Sequence, residues 1–214
     1  MKPLFSLCLL VSGLLLTSCR STGYAVKEKF GIEKRDILVS DVEAARDSQE
    51  DAKEQFASAL EQFQSVVDVD GGDLEKKYNK LSKEYKKSES RAKAVSSRIQ
   101  EVERVSRDLF KEWEKELKQY QSAELRQSSK QQLQMTKKQF EEMLATMKAA
   151  ETKMTPVLMA FNDQVLYLKH NLNSRAIASI QTQAADVTRQ IEELILDMNE
   201  SIEEANEFIK SMEG

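Results

Sequence analysis

The sequence predicts an all-α protein, an elongated antiparallel bundle or coiled coil of three or four long helices. Three observations carry that expectation. Charged residues make up 32% of the 214-residue chain and aromatics 7%, with six Gly and two Pro, a mixture rich in helix formers and poor for sheets. Apolar residues recur at alternating spacings of four and three through most of the chain, as on the seam of a packed helix. Between Asp73 and Glu213 there is no Gly and one Pro, which leaves little room for long loops.

The first seam is Leu38, Val42, Ala45, Gln49, Ala52, Phe56, Ala59, Phe63 and Val66, apolar except for Gln49. Asp68-Val69-Asp70-Gly71-Gly72-Asp73 then breaks it, with Gly to end one helix and Asp to cap the next. Asp68, Asp70 and Asp73 offer calcium-type oxygens. An EF-hand loop, however, would need a ligand where Gly72 stands and a Gly where Asp73 stands, so a turn without metal is expected. A second helix follows with Leu74, Tyr78, Leu81, Tyr85, Ser88, Ala92, Val95, Ile99, Val102, Ser106, Leu109 and Trp113, ending near Tyr120. Phe110 and Trp113 are expected as packing anchors.

Ser122 is a candidate cap for a third helix, whose seam is Leu133, Thr136, Phe140, Met143, Met147, Ala150 and Met154. Thr155-Pro156 interrupts this helix, because Pro disfavours helix at the residue before it and suits the first turn of a new one. The spacing does not distinguish a kink from a corner there. The last helix is expected over Val157–Met212, with Phe161, Val165, Leu168, Leu172, Ala176, Ile180, Val187, Ile191, Leu194, Met198, Ile202, Ala205 and Ile209 inward.

The N-terminus reads differently. Met1-Lys2-Pro3 is a short basic start, and Leu4–Leu16 is an apolar run of 13 residues. A membrane-spanning helix needs roughly 20, whereas a signal-peptide core has about 7–15. Leu16-Thr17-Ser18-Cys19 resembles the bacterial lipoprotein cleavage box, an aliphatic residue and two small ones before the Cys whose thiol takes a diacylglyceryl group. The resemblance implies a signal peptide over 1–18 and lipid on Cys19. Residues 19–33, which hold Gly23 and Gly31 and show no sustained apolar period, are expected as a tether, and 34–214 as the helical bundle domain. Acyl chains of this length hold a protein on a bilayer almost irreversibly. Arg20 and Ser21, rather than Asp, follow the Cys, which by the same resemblance implies the outer membrane, facing the periplasm. Cys8 would leave with the signal, so no thiol remains for a disulfide or for thiol catalysis.

Residues 155–180 stand apart from generic coiled-coil sequence. They gather three Asn, the single His and an Arg among large apolar residues. Asn is a poor interior helix residue, so its use here points to specific hydrogen bonds. The roles open to the stretch are register control inside the bundle, a partner surface and a ligand site. Asn162, Asp163, Gln164, Lys169, His170, Asn171, Asn173 and Arg175 form the candidate polar patch.

Lys34-Arg35-Asp36-Ile37-Leu38-Val39, the run Gln49–Phe56, the Asp70-Gly71-Gly72 turn and the run Asp163–Asn173 resemble a bacterial family of secreted helical proteins of unknown function. The resemblance covers nearly all of the chain after Cys19. It implies the helical fold and no activity.

Catalytic chemistry is not legible. There is no Gly-x4-Gly-Lys-Ser/Thr phosphate loop, a single His, and no Gly-x-Ser-x-Gly elbow to join His170 in a triad. No metal site and no cofactor are expected. Removal of residues 1–18 would leave 31 basic and 36 acidic side chains, a balance that speaks against a nucleic-acid partner. The expected function is a non-enzymatic, membrane-anchored spacer or protein-docking module of the cell envelope. A membrane-shaping module would instead need a basic face, which Lys76, Lys77, Lys80, Lys83, Lys86 and Lys87 could supply. A ligand carrier or enzyme would place its site near His170. A second copy of the chain could also bury any surplus apolar stripe.

Overall fold

A computed structural model describes residues 34–67, 74–171 and 174–213, apart from the side chains at 174–177. The chain divides into two units, residues 1–33 and 34–214, and the described residues all belong to the second. The expected signal peptide, Cys19 and the tether therefore lie outside the described residues, as do the Asp68–Asp73 turn, Leu172 and Asn173.

Four helices form the second unit: α1 (Lys34–Val67), α2 (Leu74–Glu116), α3 (Ala123–His170) and α4 (Ser174–Glu213). Each packs on its neighbour in sequence, and α4 returns to pack on α1. Cross-helix pairs such as Lys34–Glu112 and Arg91–Asp51 run in opposite chain directions, so the result is an antiparallel up-down-up-down four-helix bundle. At about 1.5 Å per residue, the longest helix, α3, spans roughly 70 Å. No described helix is long and apolar enough to cross a membrane.

All nine seam positions expected in α1 are buried, joined by Ile37 and Leu60. In α2 the seam is buried from Leu81 to Leu109, while Leu74, Tyr78, Tyr85 and Trp113 are half-buried. In α4 the seam runs through Ile180, Val187, Ile191, Leu194, Met198, Ser201, Ala205, Phe208 and Met212. Ser201 holds the seam position where Ile202 was expected, and Ile202 is half-buried. Ile209 is buried as expected, beside Phe208. The seam's phase selects Ser201, even though its neighbour is more apolar.

The third helix also departs from the expectation. It does not stop at Thr155-Pro156 but continues to His170. The next helix begins at Ser174. The reason lies in the packing phase. Leu133, Thr136, Phe140, Met143, Met147, Ala150, Met154, Val157, Phe161, Gln164 and Leu168 are all buried, at unbroken spacings of three and four on both sides of Pro156. Pro156 itself is exposed. Its ring replaces one N–H that would have met the carbonyl of Thr152, and packing of the seam holds the helix across that loss.

Two aromatic clusters tie α3 to its neighbours. Phe161 meets Phe63 of α1 with ring centroids 6.1 Å apart and Tyr85 of α2 at 6.0 Å, both edge to face. Phe140 meets Phe110 of α2 at 5.5 Å and Phe208 of α4 at 5.7 Å. Edge-to-face pairs of this kind add stability beyond their buried area. Lys137 also lies 5.6 Å from the Phe110 ring centre.

Polar groups in the core are few; Ser88 and Ser106 donate to carbonyls within α2, and others pair across helices. Ser201 Oγ of α4 donates to Gln49 Oε1 of α1 at 2.9 Å, while Gln49 Nε2 is buried without a hydrogen-bond partner. Gln164 Nε2 donates to Gln183 Oε1 across α3 and α4 at 2.9 Å. Glu84 is nearly buried. It accepts from Gln55 Nε2 of α1 at 2.7 Å and from Lys87 Nζ at 2.8 Å. Burial raises the Glu84 pKa, but these two hydrogen bonds and the charges of Lys87 and Lys83 outweigh it, and the carboxyl sits below its ordinary range.

The helix ends are closed locally. Ser122, in extended conformation, accepts from the Leu125 N–H at 3.2 Å and caps α3 as expected. Gln181 Nε2 reaches back from α4 to the carbonyl of Val67 at the end of α1, at 2.7 Å. Beyond the bundle floor, residues 123–132 of α3 contain no buried residue. Trp113, half-buried, donates from Nε1 to Ser129 Oγ at 2.9 Å and holds this extension to α2.

Four outcomes are expected. Phe161→Ala should lower unfolding free energy by about 3–5 kcal/mol, as a large core truncation does. Met135→Ala, at an exposed position, should change it by less than about 0.5 kcal/mol; chemical denaturation measures both. Pro156→Ala should raise stability by roughly 1–3 kcal/mol, because it restores a backbone hydrogen bond and the loss of ring rigidity in the unfolded chain offsets only part of the gain. A drop in stability would mean that α3 needs its break. For Glu84, a lowered native pKa stabilises the fold above the ordinary Glu value, and that contribution is lost as pH falls through the native value. Denaturation midpoints should therefore fall below about pH 4.3 more steeply in the wild type than in Glu84→Gln; equal slopes would contradict the pairing.

Candidate functional site

Among the described residues, the candidate polar patch does not gather into one constellation. Asn162 is half-buried and lines the groove between α2 and α3. Asp163 is exposed, one residue before the buried Gln164 that faces α4. Lys169 and His170 are exposed in the last turn of α3. Asn171 ends the helix: its N–H donates to the Leu168 carbonyl at 3.2 Å and its Nδ2 to the Tyr167 carbonyl at 3.0 Å. Asn173 lies outside the described residues, as does the side chain of Arg175. The unusual composition of this stretch therefore divides between a helix stop, one cross-helix hydrogen bond and exposed groups at the bundle end.

That end also exposes Leu166 and Tyr167, with 45% and 40% of their surfaces in solvent. Together with Asp163, Lys169 and His170 they make a mixed apolar and polar tip. It lies at the opposite end of the bundle from Lys34, where α1 begins. There an aliphatic and an aromatic side chain stand in solvent beside exposed polar and charged groups. Among the described residues, no group of three or more His, Cys, Asp or Glu side chains is placed to hold a metal ion.

Two concavities escaped the sequence reading. A groove of about 790 Å³ runs between α2 and α3. Tyr85, Ala92, Met154 and Leu158 give it apolar walls, and Lys93, Lys148, Ser96, Ser97 and Asn162 are among its polar lining. Burial pushes the Tyr85 phenol up from its ordinary pKa, and Glu89 adds to the shift, so the hydroxyl remains protonated at neutral pH. A second cavity of about 500 Å³ lies at the bundle floor, lined by Arg35, Trp113, Gln132, Thr136 and Met212 among others. One signal for the groove was present in sequence: Met159 sits outside the apolar seam, and 65% of it is exposed. Its partner wall on α2 could not be paired with it without the register of the two helices.

The lysines near the start of α2 lie at the distal end, with Lys76, Lys80, Lys83, Lys86 and Lys87 exposed and Lys77 half-buried. Lys87 is paired with Glu84. All but Lys77 line shallow surface depressions with Asn79 and Ser82 rather than a closed site.

No curated protein and no solved structure matches the chain. A family model described as "Protein of unknown function (DUF2959)" matches residues 23–212. That span takes in α1, α2 and α3 entirely and all but the end of α4. The chain that folds into this bundle belongs to the DUF2959 family.

Proposed function

We propose that this chain is a non-enzymatic lipoprotein of the cell envelope, held by acyl chains on Cys19 at the periplasmic face of the outer membrane. Its helical unit acts there as a rigid spacer with a docking tip. The observation that carries the reading is one of order along the chain. A 13-residue apolar run and the box Leu16-Thr17-Ser18-Cys19 stand ahead of a frame built on one continuous core. Two or three acyl chains give nearly irreversible attachment. A frame joined at Lys34 then carries its opposite end about 50 Å away along α1, taking about 1.5 Å per residue. The exposed Leu166, Tyr167, Lys169 and His170 lie at that end, and docking there uses shape and surface rather than a reacting group.

Metabolic labelling with a palmitate analogue tests the anchor. Label should enter the wild-type chain and be lost in Cys19→Ser, which should also leave the membrane fraction. A wild-type chain without label would remove the anchor from the reading. A photo-crosslinking residue at position 170 tests the tip in intact cells. It should trap a discrete neighbour that the same residue at position 126, at the other end, does not. Identical products from both positions would remove the docking tip while leaving the anchor intact.

A further inference from the structure

The helices sort by charge. Helix α2 carries thirteen basic against nine acidic side chains and α3 seven against five. Helix α1 carries four against eight and α4 three against nine. Because α2 packs beside α3 and α1 beside α4, one broad side of the bundle has a surplus of six positive charges. The other side has a surplus of ten negative charges, although the whole chain is only -4. A solvated surface needs no such segregation; interspersed signs keep a small protein soluble equally well.

Each side also carries an apolar feature of opposite shape. On the basic side lies the α2–α3 groove of about 790 Å³, with Met159 65% exposed at its edge. Its lining holds Lys93 and Lys148 together with Glu89 and Glu151, with Lys93 paired to Glu89 and Lys148 to Glu103, so the positive surplus belongs to the side around the groove rather than to its lining. On the acidic side, the outward stripe of α4 is Glu193, Leu196, Glu200, Glu203 and Glu207. Leu196, at 66%, is the most exposed large apolar side chain among the described residues. Lys153 of α3 pairs with Asp197 of α4, so Leu196 and the groove, which spans Lys148–Asn162 on α3, stand at the same height along the bundle.

We propose that the groove receives a second copy of this chain: the α4 ridge around Leu196 of one copy seats in the α2–α3 groove of the next. The ridge's glutamates then lie over the basic side of the neighbour. The two surfaces are unlike, so the contact is heterologous. Every copy added leaves one groove and one ridge open, and association is side by side and open-ended. Equal height lets neighbouring copies stand parallel without axial shift. Chains fixed at one end to a common surface would take that arrangement, but the contact itself does not depend on the anchor. An anionic bilayer would meet the lysines, yet a flat surface neither fills a concave groove nor uses Leu196.

Sedimentation of the full chain in mild detergent tests this. Association should rise with concentration, and its apparent dissociation constant should rise at least about tenfold between roughly 0.05 M and 0.5 M salt as the charges are screened. Leu196→Asp and Met159→Asp should each sediment as monomers with unchanged helical circular dichroism and melting temperature. Mixed, they should form a one-to-one complex that grows no further, because only one intact ridge meets one intact groove. Glu200→Lys should weaken association in the same direction without touching the apolar contact. A wild-type chain that stays monomeric at low salt would overturn the proposal. So would a dimer that survives both Asp variants, or a mixture that fails to pair. Flotation with phosphatidylglycerol vesicles that Met159→Asp abolishes, without self-association, would assign the face to lipid and likewise overturn it. Loss of palmitate labelling with association intact would leave this contact standing and remove only the anchor.

Discussion

The phase of the apolar seam on α3 is the constraint on which the bundle depends. From Leu133 to Leu168, buried residues keep the three-and-four spacing without a slip. This places Phe140 and Phe161 three heptads apart on one helix face. Phe140 reaches α2 and α4, and Phe161 reaches α1 and α2. One helix thereby sets the height of the other three. A slip of a single residue would turn both rings away from their partners. The same phase explains how Pro156 is tolerated: one backbone hydrogen bond is forfeited on the exposed side, while the packed side continues unchanged.

Polar groups then fix what hydrophobic packing leaves degenerate. A seam of Leu, Ala and Met can slide by a heptad at modest cost, whereas a buried amide loses its partner if it slides. Gln49 with Ser201 sets α1 against α4, Gln55 with Glu84 sets α1 against α2, and Gln164 with Gln183 sets α3 against α4. The unpaired Nε2 of Gln49 shows that this specificity has a cost in stability. Surface ion pairs between helices, such as Arg91–Asp51 and Lys137–Glu114, add little. Each partner keeps a third or more of its side chain in solvent, and such pairs are worth about 0–1 kcal/mol.

The outward faces carry the functional interest because the core is uniform along its length. Charge segregates by helix, and the order in which helices neighbour one another turns a sequence bias into two opposed sides. The loosest seam, between α2 and α3, opens as a groove on the basic side. The distal tip mixes Leu166 and Tyr167 with Lys169 and His170. The proposed docking and self-association rest on these two surfaces.

The seam of α1 was legible residue by residue, because periodic burial needs only local spacing and the helix carries no internal breaker. That of α2 was legible over its middle, while Leu74, Tyr78, Tyr85 and Trp113 are only half-buried. Ser122 was legible as a cap for the same local reason. The end of α3 was not. A rule about the residue before proline weighed against helix at Thr155, although Met154, Val157 and Phe161 already kept the phase that overrides it. The patch at 162–175 was visible as unusual composition, but composition does not say which side chain turns inward. Gln164 and Asp163 are adjacent and face opposite ways. By itself, the sequence determined helix content, most of the buried stripes and the signs of charge on each helix, since all of these repeat along one chain. Only the tertiary structure decided which helices are neighbours, that Ser201 rather than Ile202 meets Gln49, and that Leu196 stands level with an open groove. Those facts depend on register between segments far apart in sequence, which no local period encodes.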